Sequence, residues 1–211
     1  MKTSPWDGFT RLFHINLIVL LGMLWYTSEQ GETEQHALYG YALLALLVVR
    51  LLWGFFGSLT ARFSQFSFSP KQVKNYLTGE KKNNDFISHN PLSSYMVVAL
   101  IGLLLLQIFS GMFSTDDVMF DGPLYAFIEE NTASWYASIH EWVFIALQVL
   151  IVIHILAAIS HSVKGENIIK QMFSLSTTKD KKLYWRSIHA PLLSWIGITI
   201  LITSFAQWLV E

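Results

Sequence analysis

Four histidines carry the most distinctive chemistry in this chain: His14, His36, His140 and His154. Imidazole nitrogen is a transition-metal ligand, and the sequence has no cysteine to compete for that role. The lack of cysteine also excludes disulfides, thiolate-held metals, iron–sulfur clusters and thioether-attached haem. His140 and His154 are fourteen residues apart, close to four helical turns. On one helix they share a face and stand about 21 Å apart. That spacing suits two separate sites, each completed by a histidine from another segment. Zinc would need three or four ligands converging on one point. A proton relay can use buried histidines without requiring this spacing, and a lone membrane histidine can be a simple polar contact between helices.

The elements that must hold these residues are membrane helices. Apolar residues make up 53% of the 211 residues and charged residues only 14%, against about 25% charged in soluble domains. A spanning helix takes roughly 20 mostly apolar residues. Five segments fit: Phe9 to Tyr26, Ala37 to Phe56, Tyr95 to Phe113, Trp142 to Ile159 and Leu192 to Val210. The first is short and opens with Arg11; no small-residue cleavage site follows, so it reads as a retained helix, not a signal peptide. Ser69-Pro70 reads as a helix start between the second and third spans, and Asp121-Gly122-Pro123 as a turn. Tryptophans and tyrosines near the helix ends, among them Trp25, Tyr26, Trp53, Trp135 and Trp142, suit an aromatic belt.

Charge orders these spans. Lys2, Arg11, Arg62, Lys71, Lys74, Lys81, Lys82, Lys164, Lys170, Lys179, Lys181, Lys182 and Arg186 all fall on one side, leaving only Arg50 inside a span. The opposite loops carry Glu29, Glu32, Glu34, Asp116, Asp117, Asp121, Glu129 and Glu130. Lys and Arg mark the cytoplasmic side, so the N-terminus is expected inside and Glu211 outside.

With this topology His14 lies at the inner level, His36 and His140 at the outer level, and His154 in the inner half. The expected pairs are His14 with His154 and His36 with His140. Each pair can clamp a planar haem through its iron, as bundle cofactor sites are built from facing helices. His161, two turns beyond His154 on the same face, is the rival inner ligand. Arg11, one turn before His14, is placed to meet a haem propionate. Arg50, fourteen residues after His36, is either a second propionate partner or a side chain that snorkels to the inner surface. Gly40, one turn from His36, allows either close approach of a ring or helix–helix contact; Gly22, Gly102 and Gly111 are weaker instances of the same pattern.

Several pieces together resemble the bacterial cytochrome b561 and hydrogenase-type cytochrome b family: WDGFTRLFH (Trp6 to His14), HALYGY (His36 to Tyr41), RLLWGFFGSLTARFSQF (Arg50 to Phe66), HNP (His89 to Pro91), His140-Glu141 followed by His154, and GENIIKQM (Gly165 to Met172). They cover roughly the first 175 residues. The resemblance implies an all-α integral membrane bundle in the bacterial cytoplasmic (inner) membrane, with a four-helix core over residues 1–175 holding two haem b. It carries the ligand role onto His14, His36, His140 and His154. It also implies electron exchange between quinone or quinol and a periplasmic c-type cytochrome or redox enzyme. Residues 176–211, a cytoplasmic linker and fifth C-terminal transmembrane helix, depart from that core. Two other functions stay open on sequence: a stand-alone superoxide oxidase feeding quinone, and a haem-free transporter or assembly subunit. No motif for nucleotide, flavin or nucleic-acid binding is present.

Overall fold

The computed structural model describes residues 7–80, 90–115, 120–166, 168–173, 193–197, 199–201 and 203–204. Their helices include α1 (Gly8–Gln30), α2 (Thr33–Phe56), α3 (Pro70–Leu77), α4 (Pro91–Met112), α5 (Glu130–His161) and α6 (Ile168–Phe173). Helices α1, α2, α4 and α5 are each long and apolar enough to cross a membrane.

Local sequence sets their ends. Asp7 caps α1, its carboxylate accepting the Thr10 N–H at 2.6 Å, a bond that satisfies one of the helix's orphan donors. Gly31 ends α1 in the left-handed region, φ 69°, where a side chain would be strained. The chain therefore reverses in a few residues and α2 returns beside α1. Asn90 caps α4, accepting from Ser93 N–H at 2.8 Å, and Pro91 follows at the first helical position. At the other end of α4 the chain folds back, so that Leu124 N–H reaches the Met112 carbonyl at 2.9 Å. The expected turn at Asp121-Gly122-Pro123 is here, closed by Tyr125 N–H donating to Gly122 O at 2.9 Å. Pro70 does open α3, but the Ser69 side chain makes no capping bond.

The bundle runs up and down as two hairpins, α1/α2 and α4/α5, joined through an α2/α4 contact. Its core includes Phe13, Leu20, Leu43, Leu47, Leu104 and Leu147. Neither α1 nor α2 packs closely along α5. That opening between hairpins separates the helices bearing the four histidines. We call the two ends of the bundle basic and acidic after their loops.

The fourth span is longer than its hydropathy indicates. Helix α5 begins at Glu130, not near Trp142, because Asn131 to Glu141 continue the helix beyond the apolar stretch that hydropathy detects. At 32 residues and 1.5 Å per residue it is about 48 Å long, well beyond the roughly 30 Å hydrocarbon layer. His140 is consequently three turns into α5, not at its start. The expected fifth span is helical at 193–197, 199–201 and 203–204. Its remaining residues lie outside the described ones, as do His89 and His189. Trp195 donates from Nε1 to the Ala42 carbonyl at 3.2 Å, which seats this segment on α2.

Candidate functional site

Along α5 the less exposed positions run His140, Val143, Leu147, Ile151, His154, Ala158 and His161. This stripe at helical spacing faces the bundle and includes three histidines, while most of the rest of α5 is exposed.

At the acidic end the structure brings His36 and His140 together. Their ring centroids are 6.2 Å apart and their planes cross at 73°. His36 Nδ1 donates to the Leu24 carbonyl of α1 at 2.9 Å. His140 Nδ1 donates to the Gln107 carbonyl of α4 at 2.8 Å. A carbonyl can only accept, so Nδ1 carries the hydrogen in both rings and Nε2 keeps its lone pair. Metal-bound histidines are oriented in this way.

Gly111 makes the seat of His140. A Cβ there would stand 2.9 Å from Cε1 and 3.1 Å from Nδ1 of that ring, so a side chain would push the imidazole away. Its smallness serves the close approach of α5 through the histidine ring, the helix–helix contact that is one of the two expectations for this glycine. Gly40 differs: among the described residues nothing lies within 4 Å of a Cβ built there. Among the described residues the space beside it, one turn from His36, is open.

At the basic end His14 Nδ1 donates to Thr10 O of its own helix at 2.8 Å. Arg50 on α2 and His154 on α5 are within electrostatic range of it. His154 has no hydrogen bond among the described residues. His161, the rival, has its Nδ1 bound 2.8 Å from Glu166 Oε2, a carboxylate that the turn at Gly165 (φ 89°) returns to the end of α5.

Arg50 does not snorkel to the surface. It is 3% exposed and lies between two aromatic faces, its guanidinium carbon 5.8 Å from the Phe13 centroid and 5.2 Å from that of Phe63. Phe63 reaches this position by lying directly on Gly54, where a Cβ would run into its ring. Asp7 is the carboxylate in electrostatic range of Arg50. Asp7 also accepts from Trp53 Nε1 at 2.9 Å and from the Ser58 hydroxyl, so α1, α2 and the following loop meet on one carboxylate. Trp53, near the end of α2, thus uses its indole N–H for an internal bond. Arg11 is half-buried on α1, one turn before His14.

The sequence reading missed Asp7, although an aspartate just before an apolar helical run is a legible capping signal. It also missed the particular roles of Gly111 and Gly54, because a glycine's contact partner lies on another segment.

Among the described residues three buried polar atoms here have no protein partner: Arg50 Nη1, Thr10 Oγ1 and Gln107 Oε1. Each belongs to a residue that bonds or faces one of the histidines. Leaving such atoms unpaired costs about 1–3 kcal/mol apiece. Among the described residues no three His, Asp or Glu converge as a metal site; the histidines come in twos. Two imidazoles bound end-on to one metal at about 2 Å per bond have centroids about 6 Å apart. The 6.2 Å separation of His36 and His140, their bare Nε2 atoms and the open space at Gly40 fit an iron porphyrin.

No curated protein and no solved structure matches the chain. A sequence profile of the prokaryotic cytochrome b561 family matches residues 5–175, which cover α1, α2, α4, α5 and the histidines at 14, 36, 140 and 154. The chain belongs to the prokaryotic cytochrome b561 family, whose members are haem-b-binding membrane proteins of electron transfer.

Proposed function

We propose that this cytochrome carries electrons through two haem b groups, one held by His36 and His140 and the other by His14 and His154. The observation that carries the reading is the His36–His140 relationship: two rings at metal-sharing distance, both with Nδ1–H committed to a carbonyl. The His14–His154 pairing rests on their proximity and on the fourteen-residue repeat along an unbroken α5. Haem b supplies a one-electron iron couple. The chain supplies ligation, burial and separation: about 21 Å along α5 between the two levels. Arg50, buried with an unpaired Nη1, is suited to a propionate at the basic end, and Arg11 to another.

The exchange partners we propose are a quinone or quinol in the lipid and a basic periplasmic c-type cytochrome or redox enzyme at the acidic end. Charge complementarity supports the second: Glu29, Glu32, Glu34, Asp121, Glu129 and Glu130 crowd that end without a single lysine. The one-sided Lys and Arg distribution supports an inner-membrane orientation with a cytoplasmic N-terminus.

An absorption spectrum of the purified chain with haem quantification tests the core of this reading. Two haem b per chain with a reduced b-type spectrum is the expected result. Absence of haem would return the chain to a transport or assembly role. Steady turnover of superoxide with quinone, without a further protein, would instead make it a stand-alone oxidase.

A further inference from the structure

The two histidines at the acidic end are held in matching ways. His36 on α2 reaches across to Leu24 O on α1, and His140 on α5 reaches across to Gln107 O on α4. Three residues after each accepting carbonyl stands a fully buried hydroxyl: Thr27, 1% exposed, and Ser110, 0% exposed. Each hydroxyl donates to the carbonyl that the histidine uses. Ser110 Oγ lies 2.9 Å from Gln107 O. Thr27 Oγ1 lies 3.2 Å from Leu24 O and closer still, 2.8 Å, to Met23 O. The hydroxyl oxygens stand 3.3 Å (Ser110) and 3.5 Å (Thr27) from the histidine Nδ1 atoms. At the other pair, His14 bonds a carbonyl of its own helix, Thr10 O.

A carbonyl oxygen that accepts two donors holds each less strongly than one that accepts a single donor. The strength of the Nδ1–H bond matters to a bound metal. The stronger it is, the more anionic the imidazole becomes and the better it stabilises ferric over ferrous iron. A hydroxyl that shares the carbonyl therefore weakens that pull and favours the reduced state. Ser110 shares its carbonyl more closely than Thr27, so it has the larger effect.

We propose that Ser110 and Thr27 are positioning residues that hold up the reduction potential of the haem bound by His36 and His140, by sharing the carbonyls to which those histidines donate; this rests on the two-haem reading above. The test is a spectroelectrochemical redox titration of the purified, haem-loaded full chain, with electron paramagnetic resonance of its ferric haems. The expected result is a shift of the acidic-end haem to lower potential in Ser110→Ala, a smaller shift in Thr27→Val, and no movement of the other haem. Ser110→Cys, which keeps shape and a weak donor, falls between wild type and Ser110→Ala. An unchanged or raised potential with both haems retained overturns the proposal. So does an equal shift of both haems, or loss of the haem from all three variants, since the hydroxyls would then be structural. The two-haem reading fails separately, if His36→Ala and His140→Ala leave the haem content of the wild-type background unchanged.

Discussion

His36 and His140 lie on helices that do not pack closely against each other, yet their ring centroids stand 6.2 Å apart. Each ring crosses from its own helix to bond the partner helix of its hairpin. The pair thus brings the two hairpins together at one level of the bundle. Replacing one histidine by alanine is expected to remove the acidic-end haem while sparing most of the other. Pyridine haemochrome quantification of His36→Ala and His140→Ala should each show about one haem lost of two, with His14→Ala and His154→Ala removing the complementary one. Loss of the same haem, identified by its potential, in all four variants would contradict two independent sites.

The choice between His154 and His161 has its own measurement. His161 is committed at Nδ1 to Glu166, whereas His154 is the α5 histidine in range of His14. His161→Ala should therefore keep two haems and His154→Ala only one. The reverse pattern would reassign the ligand.

Gly111 tests the seat of His140. Gly111→Ala brings a methyl group to 2.9 Å from the ring carbon Cε1, and overpacking of this kind typically costs about 1–3 kcal/mol. The acidic-end haem should be lost or bound about tenfold or more weakly, since each 1.4 kcal/mol is a factor of ten. Haem dissociation to an apo-acceptor protein measures this. An unaltered off-rate would show that the ring moves aside freely.

Gly40 separates an open cradle from a packing contact. Because no described residue lies within 4 Å of a Cβ at this position, Gly40→Leu should leave the apo-protein's thermal unfolding near that of wild type. It should nevertheless block the acidic-end haem. Destabilised apo-protein would instead indicate that another helix occupies this space.

Asp7 gathers the Thr10 amide, the Trp53 indole and the Ser58 hydroxyl on one carboxylate. Asp7→Ala removes the cap of α1, worth about 1 kcal/mol, and leaves buried donors unpaired at about 1–3 kcal/mol each. A loss of roughly 3 kcal/mol or more is expected, read as a lower melting temperature in detergent. The basic-end haem should be affected before the acidic-end one, because Asp7 neighbours Arg50 and the start of the helix that carries His14.

The four membrane-crossing helices were legible in the sequence because lipid allows few solutions: long apolar runs must become helices to satisfy their backbone polar groups. The spacing of His140 and His154 was legible for the same reason, since a helix fixes depth and face together. Charge in the loops ordered the spans before any contact was known. The sequence could not show where α5 begins, because a helix may leave the apolar layer without a change in its backbone. Nor could it tell a glycine that seats a histidine, Gly111, from one beside open space, Gly40, or a buried Arg50 under Phe63 from one that snorkels. Those distinctions depend on which side chain of another helix arrives opposite. Packing between segments distant in the chain decides that, and periodicity within one segment carries no record of it.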